Sequence, residues 1–443
     1  MSLWMMPAEV SCWFECLAGY LDVRNQARFV ALLGGVVFAR GRRTVTSWLR
    51  AAGIAEEFRP AYGLLWTVGR RACGMATRLL LFVLGPRARG QSRLLFGLDD
   101  TPTKRYGPCV EGAGVHHNPT PGPAGQKFVY GHVWVTLAWL VRHSCWGTIA
   151  LPLRSALYVR RKDVPTLPPD YKWSFRTKLT LAAELLHWLA MWLRHWGVRI
   201  WVAADGAYAK REFLRAARRE NIVVVSRLRR DAALCDLPGP RPKGRRGRPA
   251  LYGRHRIDLV KRAGQSRGWR EEEFDLYGRT ERVRYKTFLA TWRPAGGVIR
   301  VVLVNRGGTW AAFFCTEPDA TVAEVLTAVA DRASIEQAFH DLKEVWGAGQ
   351  QQLRNLWANI GAFHLNLWLH TLVEVWAWDR GGGRLTDRRA SPWDDPDRRP
   401  SHADRRRALQ RESLRQEYRA AATGRGQARK YRSLARRLLQ LTI

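Results

Sequence analysis

Arg332, Glu336 and Lys343 lie four and seven residues apart in a segment with helical periodicity, so at about 100° per residue they project within an arc of about 40°. One acid is flanked by two cations on a single stripe. Two more acids each close a short apolar run far upstream: Asp100 ends RLLFGLDD and Asp205 ends RIWVAAD. Acids at the C-terminal ends of strands project from the rim of a sheet, where a third acid on a packed helix completes a cage of hard oxygen ligands. Such a cage suits two divalent ions, Mg²⁺ or in its place Mn²⁺, and the neighbouring cations suit a phosphate backbone. That is the equipment for phosphodiester cleavage and transfer. Taken singly, each acid has a plainer reading. Asp100 caps a turn beside Thr101 and Thr103, Asp205 with Gly206 makes an Asp-Gly turn, and Arg332 with Glu336 makes a weak i, i+4 surface pair. Only the joint occurrence favours chemistry.

The elements that must position these residues follow from composition and periodicity. At 443 residues, 46% apolar and 11% aromatic, the chain has room for two or three domains and a substantial core, which excludes disorder as its overall state. Its 73 basic residues against 38 acidic ones leave a formal charge of +35, which implies a polyanionic partner, with nucleic acid ahead of a membrane surface. The excess is concentrated in residues 227–262 and 379–443, as expected where phosphates are neutralised. Seven scattered cysteines, without CxxC pairs or zinc-finger spacing, fit buried thiols in a reduced cytoplasm, and the N-terminus lacks the pattern of a signal peptide. Trp357–Trp378 has no Lys or Arg, but Asn359, His364, Asn366, His370 and Glu374 interrupt it, so it reads as a core helix and no membrane association is expected.

Residues 8–84 read as helices broken at Gly34-Gly35, Gly41, Gly53 and Pro60. Within them ARGRRTVTSWLRAAGI is a basic turn, a cap near Thr44 and a short helix, which resembles a helix-turn-helix recognition element; a capped helix without DNA contact is the alternative. Strands are expected at Leu94–Asp99, Phe128–Leu140 and Thr148–Leu153, then a helix over 177–195, a strand over 199–204, a helix over 210–220 and a strand over 222–226. The loop with His116 and His117 connects strands and lacks a third metal ligand nearby. Three further strands (282–292, 298–305, 311–315) separate Asp205 from Glu336, whose helix starts near Val322. A basic helix near 428–441 ends the chain.

The run DRASIEQAFHDLKEVWG, with R-x3-E-x6-K, resembles the YREK signature of DDE transposases of bacterial insertion sequences. LDDTPTKRYG and AADGAYAKREFL are similar to that family's first- and second-acid segments, and the resemblance extends over about 90–378. It implies an α/β fold with a ribonuclease-H-like core (91–226 and 321–378) interrupted by a basic linker and β-rich insertion (227–320). An all-helical N-terminal DNA-binding domain (1–90) and a helical basic C-terminal region (379–443) flank that core. It further implies Asp100, Asp205 and Glu336 as the catalytic, metal-binding triad, with Arg332, Lys343 and Lys104 on DNA phosphates. Asp99 competes with Asp100 for the first role; Asp100 is preferred because it directly precedes Thr101. The signature's Tyr falls at Val329. The implied partners are double-stranded DNA, both terminal inverted repeats and target, and a second copy of the chain on DNA. An accessory targeting factor is compatible with the pattern, and the nucleoid is the expected location. Arg246-Gly247-Arg248-Pro249 resembles the core of an AT-hook, in which Arg-Gly-Arg lies along a narrow minor groove; a basic linker making non-specific phosphate contacts through Arg246 and Arg248 is the other reading. Trp292 and Trp310 are placed to stack on a displaced base or to pack in the core.

Overall fold

Thr44 accepts the Ser47 N–H at 3.2 Å and so starts a short helix at the position expected for a Ser/Thr cap. The computed structural model that shows this describes residues 4–118, 127–240, 246–388, 391–395, 397–423 and 426–441. Four helices lead the chain: α1 (Ala8–Ala18), α2 (Val23–Phe38), α3 (Val45–Ala52) and α4 (Phe58–Arg87). The expected break at Gly34-Gly35 is absent, because α2 runs through both. A Cβ on Gly35 would overlap the Trp48 carbonyl, so the glycine serves close packing of α2 on α3 and leaves the helix intact.

A mixed sheet follows, built from β1 (Arg93–Lys104), β2 (Gly114–His117), β3 (Phe128–His143) and β4 (Gly147–Tyr158). Next come α5 (Lys178–Leu193), β5 (Arg199–Ala204), α6 (Arg211–Arg219) and β6 (Val223–Leu228). The segment 227–320 adds β7 (Leu234–Cys235), β8 (Arg256–Ile257), α7 (Leu259–Gly264), β9 (Arg270–Leu276), β10 (Arg279–Trp292), β11 (Gly297–Arg306) and β12 (Thr309–Cys315). Helices α8 (Val322–Glu344), α9 (Leu356–Ala377), α10 (Gly382–Leu385), α11 (His402–Ala422) and α12 (Gln427–Gln440) complete it. The strand order is β2-β3-β1-β5-β6-β12-β11-β10-β7-β8, with β4 on β3 and β9 on β10. β1 runs antiparallel to β3 and parallel to β5, and β12 joins β6 antiparallel, so the late strands extend the sheet that carries the acids. The strands β2, β7, β8 and β9 and the helices α7, α10 and α11 were not expected.

Two faces of β1 meet different helices. Trp134, opposite Thr101, stacks on Phe363 of α9 at 4.0 Å and donates to Thr103, which puts α8 and α9 on the Asp99, Thr101, Thr103 face. The other face meets α5, where Arg154 of β4 lies over the Trp188 ring. α9 is buried along nearly its whole length, as its composition suggested, and each buried Leu or Phe on it contributes roughly 1.5–3 kcal/mol. It crosses α4 at backbone contact: a Cβ on Gly69 would overlap the Trp357 carbonyl, and one on Gly361 would overlap that of Leu65. Among the described residues no helix is long and apolar enough to cross a membrane. The cysteines are unpaired, and Cys12, Cys16, Cys73, Cys109 and Cys145 are exposed, contrary to the expectation of buried thiols.

The core carries a pH signature. His132, His364 and His370 are buried, and desolvation holds each below the ordinary imidazole range, His132 at about 3 and His364 at about 4. Their unfolded forms bind protons that their folded forms refuse. Their contribution to stability is therefore full above about pH 6.5 and falls as pH drops from there toward the folded values. Urea midpoints are expected to be lower at pH 5 than at pH 7.5, and a flat profile between them contradicts the burial of these rings.

Candidate active site

β5 stops at Ala204, level with Leu98, and beyond that point no strand among the described residues lies on the β5 side of β1. Three carboxylates gather at this opening. Asp205, one residue past the end of β5, caps the turn Gly206–Tyr208 through an Oδ1 contact to the Ala207 N–H at 2.8 Å. The expected Asp-Gly turn is therefore present, in the register that brings Asp205 level with Asp99. Successive residues of a strand point to opposite faces. Asp99 accordingly faces α8, where the Arg332 guanidinium reaches it at 2.6 Å, and Arg332 also holds Glu336 at 2.9 Å. The i, i+4 pair is part of a three-membered bridge spanning strand and helix.

Asp100 points the other way. Its carboxylate takes the Lys178 ammonium at 2.6 Å and the Tyr208 hydroxyl at 2.8 Å, on the α5 side. The set expected from sequence is thus divided: Asp205 and Glu336 lie on the side reached by Asp99, and Asp100 lies across the strand. Sequence reasoning missed Lys178 and Tyr208, which neither spacing nor a motif marked. It weighed Asp99 and Asp100 on their neighbour Thr101, whereas strand parity separates them.

Burial pushes the Asp99 carboxyl up to about 7 against the pull of Arg332, with Asp205 and Asp100 adding repulsion. Burial likewise raises the Tyr208 phenol well above its ordinary value, and Asp100 adds to that, so Tyr208 stays a proton donor. Asp99 and Asp205 are partly buried and Glu336 is exposed, one guanidinium bridges two of them, and an all-carboxylate donor set is what Mg²⁺ or Mn²⁺ takes. The residues fit such ions. Among the described residues the three carboxylates do not close to within 4.8 Å of one another, consistent with Arg332 standing between two of them.

The other expected contacts are spread out. Lys343 follows on the stripe of α8, half-buried, with burial lowering its pKa. Lys104 is exposed at the end of β1. Arg246 and Arg248 are exposed in the loop between β7 and β8, strands that lie beyond β6, β12, β11 and β10 from β5, and residues 241–245 of that basic linker lie outside the described residues, as does 119–126 of the His116 loop. Val329 packs against the core. Trp292 is buried against Phe314, while Trp310 is half-buried under Arg230.

Asp341, His370 and His402 are the one His/Cys/Asp/Glu group among the described residues whose ligand atoms all lie within 4.8 Å. His402 is already committed on both nitrogens, to Glu374 at 2.5 Å and to the Trp346 N–H at 2.7 Å, and its ring stacks on His370 at 4.1 Å. That geometry is a structural joint.

A family model described as DDE superfamily endonuclease matches residues 16–293, more than half of the chain. The chain belongs to this family. No curated protein matches it. Membership makes DNA the substrate class of this DDE endonuclease and divalent metal ions its general requirement. The matched span includes Asp99, Asp100 and Asp205 and ends before α8.

Proposed function

We propose that this DDE endonuclease is a cut-and-paste DNA transposase that binds the terminal repeats of its element as a dimer, cuts the strand and transfers the freed 3′-hydroxyl to target DNA. The observation that carries the reading is the Arg332 bridge, which ties Glu336 of α8 to Asp99 of β1 beside Asp205. The strand order β4-β3-β1-β5-β6, antiparallel then parallel, with β-rich chain between Asp205 and Glu336, supports an interrupted ribonuclease-H-like core.

In this reading Asp99, Asp205 and Glu336 would hold two divalent ions, which would supply activation of the attacking oxygen and charge stabilisation at the leaving one. Arg332, on the same stripe as Glu336, is the guanidinium that offsets the charge growing on the scissile phosphate in the transition state. Lys343 extends the cationic stripe along α8 and holds the adjoining backbone. Asp100 fixes Lys178 and Tyr208 behind the strand and keeps the turn after Asp205 in place.

The test is cleavage of end-labelled DNA carrying the element's own termini, with Mg²⁺ and with chelator. Cuts at the repeat boundary that need metal and fall on the order of a thousand-fold in Glu336→Gln are expected. Cuts without joined products favour a nuclease that lacks strand transfer. Specific binding without cuts in Mg²⁺ or Mn²⁺ favours a DNA-binding repressor derived from a transposase.

A further inference from the structure

The basic turn before α3 is attached to the catalytic region. The Arg43 N–H donates to Gln350 at 2.8 Å, and Gln351 returns a hydrogen bond to the Arg43 carbonyl. Arg406 of α11 ties the carbonyls of Val36, Val37 and Ala39, at the end of α2, to that of Val345, at the end of α8. The same corner receives the end of β1, where Arg105 donates to the Gly349 carbonyl at 2.7 Å and the Arg42 guanidinium lies over the Tyr106 ring at 5.9 Å. α8 beyond Glu336 and β1 beyond Asp99 therefore converge on the turn that carries Arg40, Arg42 and Arg43.

This corner is cationic and short of counter-charge. Arg40, Arg42 and Lys104 are exposed, and among the described residues none of them, nor Arg43, has an acid within 4.0 Å. Arg43 has a buried Nε without a hydrogen-bond partner. Burial lowers the pKa of Arg43 and of Arg406, to about 9 in the latter, and Arg40 adds repulsion to both. Glu344, exposed beside Lys343, offsets the charge of that lysine. An isolated solvated basic face tolerates such repulsion by spreading its side chains; here three tied backbone segments hold it in place.

We propose that Arg40, Arg42 and Lys104 form a rigid phosphate-gripping ridge that holds the DNA duplex a fixed distance from the cut. The N-terminal helices and the catalytic region then grip one DNA end as a unit. From Glu336 to the end of α8 at Glu344 is about 12 Å, and from Asp99 to Lys104 along β1 about 17 Å. At about 3.4 Å per base pair the ridge meets the backbone roughly five base pairs from the scissile phosphate. This rests on the transposase reading for its substrate.

The experiment uses the full chain carrying Glu336→Gln, so that DNA is bound without being cut, on a labelled duplex spanning the element boundary. Arg40→Gln with Arg42→Gln is expected to reduce the slope of log affinity against log salt by about 2, since each phosphate contact contributes about 0.9. Backbone protection from hydroxyl radicals is expected to vanish roughly five base pairs from the boundary and to persist elsewhere, and the melting temperature is expected to hold. An unchanged slope, or protection lost at another position, overturns the ridge and leaves the transposase reading intact. Failure of the parent chain to bind any duplex overturns both.

Discussion

Asp99→Asn is expected to lower metal-dependent cleavage on the order of a thousand-fold, and Asp100→Asn by roughly tenfold or less. The two residues are neighbours with the same chemistry, so the difference isolates direction. Asp99 faces α8, sits level with Asp205 and meets Arg332, and burial raises its pKa. An amide there removes a hard anionic ligand and leaves Arg332 with Glu336 alone. Asp100 faces α5, and its amide keeps an acceptor for the Tyr208 hydroxyl while losing the Lys178 ion pair, whose cation is more than a third exposed. The measurement is single-turnover cleavage alongside DNA affinity, with affinity expected within a few-fold for both variants. The reverse ranking assigns the first-acid role to Asp100, as its place before Thr101 suggests.

That ranking shows where sequence reasoning reached and where it stopped. Helical periodicity placed Arg332, Glu336 and Lys343 on one stripe, because that signal depends only on local spacing. The strand ending at Ala204 and the cap at Thr44 were legible for the same reason. The choice between Asp99 and Asp100 was not, because both faces of β1 are covered: Leu98 and Thr101 are both buried on opposite sides, so no alternation of polar and apolar residues marks a solvent face. The role of Gly35 was misread for a related reason. Glycine in a helix signals a break unless a partner backbone needs the space, and that partner, Trp48, declares itself only in three dimensions. The C-terminal region was the largest omission. Its Arg-rich composition marks a phosphate-binding tail, yet Arg405 and Arg406 are buried cations, the first paired with Glu374 and the second bonded to main-chain carbonyls. Composition cannot distinguish an arginine that meets DNA from one that closes a helix end.

Glu374→Ala is accordingly expected to destabilise the fold by about 3–5 kcal/mol, the cost of leaving a buried partner charge uncompensated. Burial alone would raise the Glu374 carboxyl, but Arg405 and His402 hold it well below the usual carboxylate range. Its contribution is present above about pH 4.3 and is lost as pH falls toward the folded value. Replacing both charges, Glu374→Leu with Arg405→Met, is expected to recover part of the loss, because the Arg405 charge is then no longer stranded while the buried His402 Nδ1 still lacks its partner; urea unfolding of the single and double variants measures the coupling. The functional consequence follows from connectivity. α11 carries Arg405, which anchors it to α9, and Arg406, which holds the C-terminal end of α8 at the Val345 carbonyl. If the joint opens, α11 loosens first, and limited proteolysis of Glu374→Ala is expected to release the segment after α9 before the sheet unfolds. The end of α8 then loses its hold on the turn at Arg43, so the same variant is expected to weaken DNA binding at low urea, below its unfolding transition. A variant that unfolds in one step, with cleavage and affinity unchanged up to the transition, would show that α11 contributes stability alone.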